Sequence, residues 1–246
     1  MSIGELFHDT GRIFRRRPAW FLLLATGQYL LITGAVFAVR LTFNVRPGGI
    51  DLVSLWRSLP PLGRLGLFLL VWLVSFGVAA IGEAGSLLVA SEIRQGQAPA
   101  LGKLTLRVLA ALWRILAAQF ALTAACLIAG AFFMIPGLLI LMSGALIVPA
   151  IVLGNLGIVT AIRKGVKLAM DHFGQVAAIV GLSSVLGAAW LVLCLVLSRL
   201  PEPFEGAHIL MMFYAPFCFI ATLAAIALAV VYHHASEVEL ASTRPH

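Results

Sequence analysis

Apolar and polar positions in this chain fall into long blocks rather than short alternations. Apolar runs occupy residues 20–39, 65–90, 115–134, 138–159, 176–197 and 209–232. A helix rises about 1.5 Å per residue, so about 20 apolar residues cross the hydrocarbon of a bilayer. The pattern predicts an all-α polytopic membrane helix bundle with about six transmembrane helices, forming a single integral membrane domain over residues 1–246. The run at 65–90 is long and should tilt or extend beyond the hydrocarbon. Only Ile135-Pro136-Gly137 separates the third run from the fourth. Proline stops a helix and glycine permits a tight reversal, so these two runs are expected to form a hairpin there.

Between the blocks, charge recurs with helical spacing. Ser2-Ile3-Gly4-Glu5 has the form of a capping box. Glu5, Asp9, Arg12 and Arg16 follow on one side, with Ile3, Leu6, Phe7, Thr10 and Phe14 on the other. Lys103, Arg107 and Arg114 line a second stretch, away from Leu101, Leu104, Val108 and Leu112. In a third, Arg163, Lys167 and Asp171 step by four, against Ile162, Val166, Ala169, Met170 and Phe173. Three cytoplasmic amphipathic interfacial helices are expected, lying flat with apolar sides toward lipid and basic sides toward phosphate headgroups. The residues expected to contact anionic lipid are Arg15, Arg16, Arg17, Lys103, Arg107, Arg163, Lys164 and Lys167. Each stretch precedes a pair of spans, so the chain reads either as three similar units or as the basic connectors of any polytopic protein. A further amphipathic stretch at 51–59, with Leu52, Leu55, Trp56 and Leu59, is expected on the outer leaflet.

Composition narrows the class. Hydrophobic residues make up 61% of the chain and charged residues 11%, against roughly half and a quarter in soluble domains. A soluble enzyme, a disordered chain and a disulfide scaffold are excluded. The net charge of +7 sits at the ends of apolar runs, where membrane topology uses it, and no nucleic-acid partner is expected. With the N-terminus in the cytoplasm, only Arg40, Arg46, Arg57, Arg64 and Arg199 of the 17 Lys and Arg fall outside. Both termini are therefore expected in the cytoplasm. The first apolar run exceeds a usual signal core and is expected to remain as a span. Cys126, Cys194 and Cys218 all lie inside apolar runs and read as small core residues.

Ile135-Pro136-Gly137, Val148-Pro149-Ala150-Ile151-Val152-Leu153, Ala161-Ile162-Arg163-Lys164-Gly165-Val166-Lys167-Leu168 and Asp171-His172-Phe173-Gly174 form a recognisable series. It resembles six-span bacterial membrane proteins related to the membrane domain of glycerophosphodiester phosphodiesterases. In that pattern Asn155 stands near an acidic position and Gly165 at a serine. The resemblance implies an architecture and a bacterial cytoplasmic membrane. The phosphodiesterase chemistry of such proteins belongs to a separate soluble barrel of about 250 residues, for which the short segments between these runs leave no room.

Glu83, in Gly82-Glu83-Ala84-Gly85-Ser86, is the candidate intramembrane functional residue. It lies nine residues before Glu92, or about 13 Å deeper along a continuous helix. An ionisable group at that depth binds a proton, a cation or a polar headgroup, or else is a hydrogen-bonded glutamate within the bundle. No basic partner is evident at matching depth. His233-His234 reads as a solvated pair near the headgroups, and Asp171-His172 as the polar edge of an amphipathic helix. Pro149 and Pro216 should kink their helices. No nucleophile–base pair, phosphate loop or metal motif occurs, so no cofactor is expected and the chain is not expected to be an enzyme. Three function classes stay open: a scaffold, assembly or regulatory protein acting on membrane proteins or lipids; a small transporter or channel with Glu83 in its pathway; and an intramembrane lipid enzyme.

Overall fold

The computed structural model describes residues 1–42, 60–132, 134–197 and 207–242. Helix α1 (Ile3–Arg16) opens with the expected capping box: the Ser2 hydroxyl accepts from the Glu5 N–H at 3.2 Å, and the Glu5 carboxylate accepts from the Ser2 N–H at 2.6 Å. Arg17 ends α1, and Pro18, which has no N–H to leave unpaired, starts α2 (Pro18–Thr42). Helix α3 (Pro61–Arg94) also begins on a proline. It is followed by α4 (Leu101–Phe132), α5 (Met134–Gly144), α6 (Ile147–Val152), α7 (Ile158–Asp171), α8 (Phe173–Leu197) and α9 (Ala207–Ser242).

α3 and α9 form the centre. They pack on one another, and both touch α1, α2 and α6. Ala80, Ala84, Leu87 and Leu88 of α3 and Ile226, Val230 and Val231 of α9 are all buried in one shared core. α4 and α8 lie on the flanks and leave Leu106, Leu109, Trp113, Leu127, Val185 and Val192 exposed. Five described helices are long and apolar enough to cross a membrane: those containing Phe76–Arg94, Leu101–Gly130, Ile135–Val152, Phe173–Cys194 and Ala215–Glu239. The exposed apolar flanks and these spans make it an all-α bundle of a membrane protein. Of the six expected spans, the first is met by a shorter apolar helix, Pro18–Gly34, within α2. The 51–59 stretch and Arg46, Arg57, Arg199 and Arg244 lie outside the described residues.

Four local expectations change. First, α4 is one helix, so the second amphipathic stretch and the third span are continuous. Neither proline nor glycine occurs from 103 to 129, and one buried stripe, Leu104, Val108, Ala111, Ile115 and Ala118, runs through both. Second, the third and fourth runs form the expected hairpin, with α5 returning along α4, but Ile135-Pro136-Gly137 is the first turn of α5 rather than the reversal itself. A proline there costs no helical hydrogen bond, because first-turn N–H groups have no partner anyway. The role of Gly137 is closeness: a Cβ on it would lie 3.1 Å from the Gly130 Cα and 3.2 Å from the Cys126 carbonyl oxygen, so α4 and α5 meet backbone to backbone.

Third, the fourth span is broken between Gly144 and Ile147 and ends at Val152 rather than 159. Pro149 cannot donate to the Ala145 carbonyl, and the break places Pro149 in the first turn of α6, where that loss is harmless. Fourth, the amphipathic helices bury part of their apolar stripes in protein, while Ile3, Phe7, Leu101, Met170 and Phe173 of the expected stripes stay exposed. α1 buries Leu6, Thr10 and Ile13. It lies along the flank of α9, with Met1 at His234 and the Phe14 ring 5.9 Å from that of Phe219. Thr10 donates its hydroxyl to the Leu6 carbonyl at 2.8 Å, so its burial leaves no unpaired group. α7 buries Ala161, Gly165, Leu168 and Ala169, while Met170 is exposed. The small residues choose this face: a Cβ on Gly165 would lie 2.8 Å from the Ile147 N and Cα, so α7 rests directly on the joint between α5 and α6.

Candidate functional site

The described polar groups collect at two places, one inside the bundle and one at its charged end. The inner group begins with Glu83 on α3. Its carboxylate accepts a hydrogen bond from the Gln119 amide of α4 at 3.4 Å. Among the described residues, its hydrogen-bond partner at that depth is thus an amide. On the other side, Gln28 of α2 is 5% exposed, and its amide lies over the bare backbone of Gly82; a Cβ there would overlap the Gln28 amide nitrogen. Glycine at 82 is what lets Gln28 enter.

Glu83 and Gln28 share the wall of a cavity of about 340 Å³ between α2, α3 and α9, whose other walls are apolar and include Val78, Phe217, Ala225 and Leu228. The Gln28 Oε1 has no hydrogen-bond partner, nor do the Ser86 Oγ and the Gln119 Oε1. A buried acceptor without a partner is uncommon in folded proteins. Gln28 and Gln119 were missed in the sequence. Their signal is the one that exposed Glu83: a single long polar side chain inside an apolar run.

The charged end is built where α3 and α9 finish. Arg94 donates to Glu237 at 2.8 Å, tying the two central helices together. Arg107 of α4 lies 3.8 Å from Glu92. Lys164 and Lys167 of α7 converge on Glu239 at 3.2 and 3.3 Å. The expected lipid-contacting set therefore divides. Arg107, Lys164 and Lys167 face carboxylates of the protein. Arg15, Arg16, Arg17, Lys103 and Arg163 are exposed, with no ion pair among the described residues. Near that end Glu5 is held below the usual carboxylate range, chiefly by the Ser2 backbone N–H and then by the Ser2 hydroxyl.

Arg114, grouped in the sequence with the basic face of α4, does something different. Its guanidinium donates at 3.1 Å both to the Leu156 carbonyl and to the Asn155 side-chain oxygen. Asn155 has φ 47°, in the left-handed region. This fork closes the turn between α6 and α7, a role asparagine suits because it tolerates that backbone and offers the acceptor.

His233 and His234 are not a free solvated pair. The His233 Nε2 lies 3.0 Å from the Ser91 hydroxyl of α3. His234 faces Met1, and its ring stands edge-on to His172 at 6.1 Å. The two point to different partners, as adjacent helical residues must. The His172 Nδ1 lies 3.3 Å from the Leu168 carbonyl, at the end of α7. Cys126, Cys194 and Cys218 are free thiols. Among the described residues no cluster of three or more His, Cys, Asp or Glu side chains has the arrangement of a metal site. No family model, no curated protein and no solved structure matches this chain.

Proposed function

We propose that this chain is a non-catalytic integral membrane protein, serving as a scaffold, assembly or regulatory subunit for other membrane proteins or for lipids. It sits in a bacterial cytoplasmic membrane with the charged end toward the cytoplasm. One observation carries the reading: the charged end is braced internally and still presents free cations. Ion pairs join α3 to α9, α4 to α3 and α7 to α9. Lys103 and Arg163 remain exposed on the helices that form that frame, and Arg15, Arg16 and Arg17 remain exposed at the end of α1. A stiff frame with outward cations suits docking of anionic headgroups or an acidic partner segment. In-cell cross-linking at native abundance, followed by mild-detergent purification, should recover a stoichiometric membrane protein or a retained anionic lipid. A lone, lipid-free monomer overturns the proposal.

A second reading, a small transporter, is favoured by the cavity with Glu83 on its wall. On that reading Glu83→Gln abolishes proton flux into proteoliposomes carrying an entrapped pH indicator, with the fold intact. Unchanged flux removes Glu83 from any pathway.

A further inference from the structure

The cavity between α2, α3 and α9 is built unevenly. Most of its wall is hydrocarbon: Ile32, Val78, Ala79, Phe217, Ala221, Ala224, Ala225 and Leu228 contribute to it. Gln28 and Glu83 interrupt that wall with polar side chains, and the free thiol of Cys218 also lines it. Its volume of about 340 Å³ lies in the range of small-molecule sites. Ala79 on α3 and Ala221 on α9 are exposed. The cavity thus gives on to the outer surface of the bundle between small side chains, at the level of the apolar spans. An occupant arriving there comes from the lipid phase.

The polar groups say what it should carry. The Gln28 Oε1 is a buried acceptor without a donor. Glu83 offers carboxyl oxygens and already takes its one described hydrogen bond from Gln119. Both positions call for a hydrogen-bond donor. A hydroxyl fits best, since it donates to an amide oxygen or a carboxylate and accepts from a carboxylic acid, whichever form Glu83 takes. An ammonium would bring a full charge into apolar walls at far greater desolvation cost. We infer that this cavity binds a hydroxyl-bearing lipid, a long-chain alcohol or an acylglycerol with a free hydroxyl, its hydroxyl at Gln28 and Glu83 and its chain leaving between Ala79 and Ala221. The site goes beyond the proposed scaffold role and is read on the isolated chain, so loss of a protein partner leaves its test unaffected.

The test uses the full chain in phosphatidylcholine nanodiscs and a 16-carbon alcohol with a mid-chain diazirine. Irradiation and peptide mapping should place the label within residues 78–83 and 217–228. Hexadecanol should compete for it, while hexadecane and hexadecyl methyl ether should not. Gln28→Leu, which keeps the apolar volume and removes the acceptor, should weaken hexadecanol competition by about three- to tenfold, the range of one hydrogen bond. Ala221→Phe, at the mouth, should abolish labelling, with unfolding temperature monitored for both variants. Label placed elsewhere, equal competition by hexadecane, or labelling undiminished by Ala221→Phe overturns the proposal. Should either variant fail to fold, the competitor series in the unmodified chain decides alone.

Discussion

Gly165→Ala tests whether α7 truly rests on the α5–α6 joint. The added Cβ would lie 2.8 Å from the Ile147 N and Cα and 2.9 Å from the Leu146 carbonyl carbon. Heavy atoms settle at about 3.5–4.0 Å, so α7 must lift by roughly 0.7 Å or more. All three atoms are backbone in a fully buried segment, and no side chain can swing aside. Overpacking of this kind costs about 1–3 kcal/mol. Against it stands the helix preference of alanine over glycine, worth about 1 kcal/mol. Gly181→Ala on α8 isolates that preference, because a Cβ there meets nothing within 4 Å. The two variants should differ by about 1–3 kcal/mol, with Gly165→Ala the less stable. At 2–4 °C per kcal/mol for a chain of this size, that is roughly 2–12 °C in Tm. Thermal unfolding in one detergent, followed by tryptophan fluorescence, reads the difference. If Gly165→Ala unfolds at or above the temperature of Gly181→Ala, the close approach of α7 is refuted.

Arg114→Lys keeps the charge but loses the fork to Asn155 and Leu156. At about 0.5–1.5 kcal/mol per hydrogen bond, amide exchange across residues 153–157 should speed up by about two- to tenfold, and unchanged exchange would remove the clamp. Glu239→Gln strips the shared partner of Lys164 and Lys167. The loss should be about 0.2–1 kcal/mol per pair at low salt and should shrink at 0.5 M salt as screening grows; a salt-independent difference would contradict an ionic origin. Because Glu5 sits below its unfolded value, its contribution to α1 is present above about pH 4.3 and is lost as pH falls through the folded value. Amide protection in α1 should therefore decline on acidification below that point, and Glu5→Gln should flatten the profile.

The spans were legible because lipid imposes one simple demand, a continuous apolar run of sufficient length, and the runs around α3, α4, α8 and α9 meet it. The capping box was legible for the same kind of reason, since Ser2 and Glu5 act within a single turn. What the pattern hid depends on neighbours distant in sequence. Ile135-Pro136-Gly137 carries the residues of a reversal, yet proline is equally content in a first turn and Gly137 is needed for its contact with Gly130. The apolar positions of α7 suggested a face centred on Ile162 and Val166. The structure centres burial on Ala161, Gly165 and Leu168 and keeps only Ala169 of the expected set, because Gly165 lets the backbone approach Ile147. Gln28 and Gln119 acquire meaning only when α2 and α4 bring them beside Gly82 and Glu83. Charge periodicity marked Lys164 and Lys167, but not Glu239, which meets them from about 70 residues further along the chain.

The most direct measurement of the central claim is native mass spectrometry of the full chain released from nanodiscs of mixed phosphatidylglycerol and phosphatidylcholine. The braced, cationic end predicts that phosphatidylglycerol is retained in preference to phosphatidylcholine. It also predicts that replacing Arg15, Arg16, Arg17, Lys103 and Arg163 together by glutamine removes the preference, while Lys164→Gln with Lys167→Gln largely preserves it. Equal retention of the two lipids by the unmodified chain, or a preference untouched by the five-residue variant, would contradict the account.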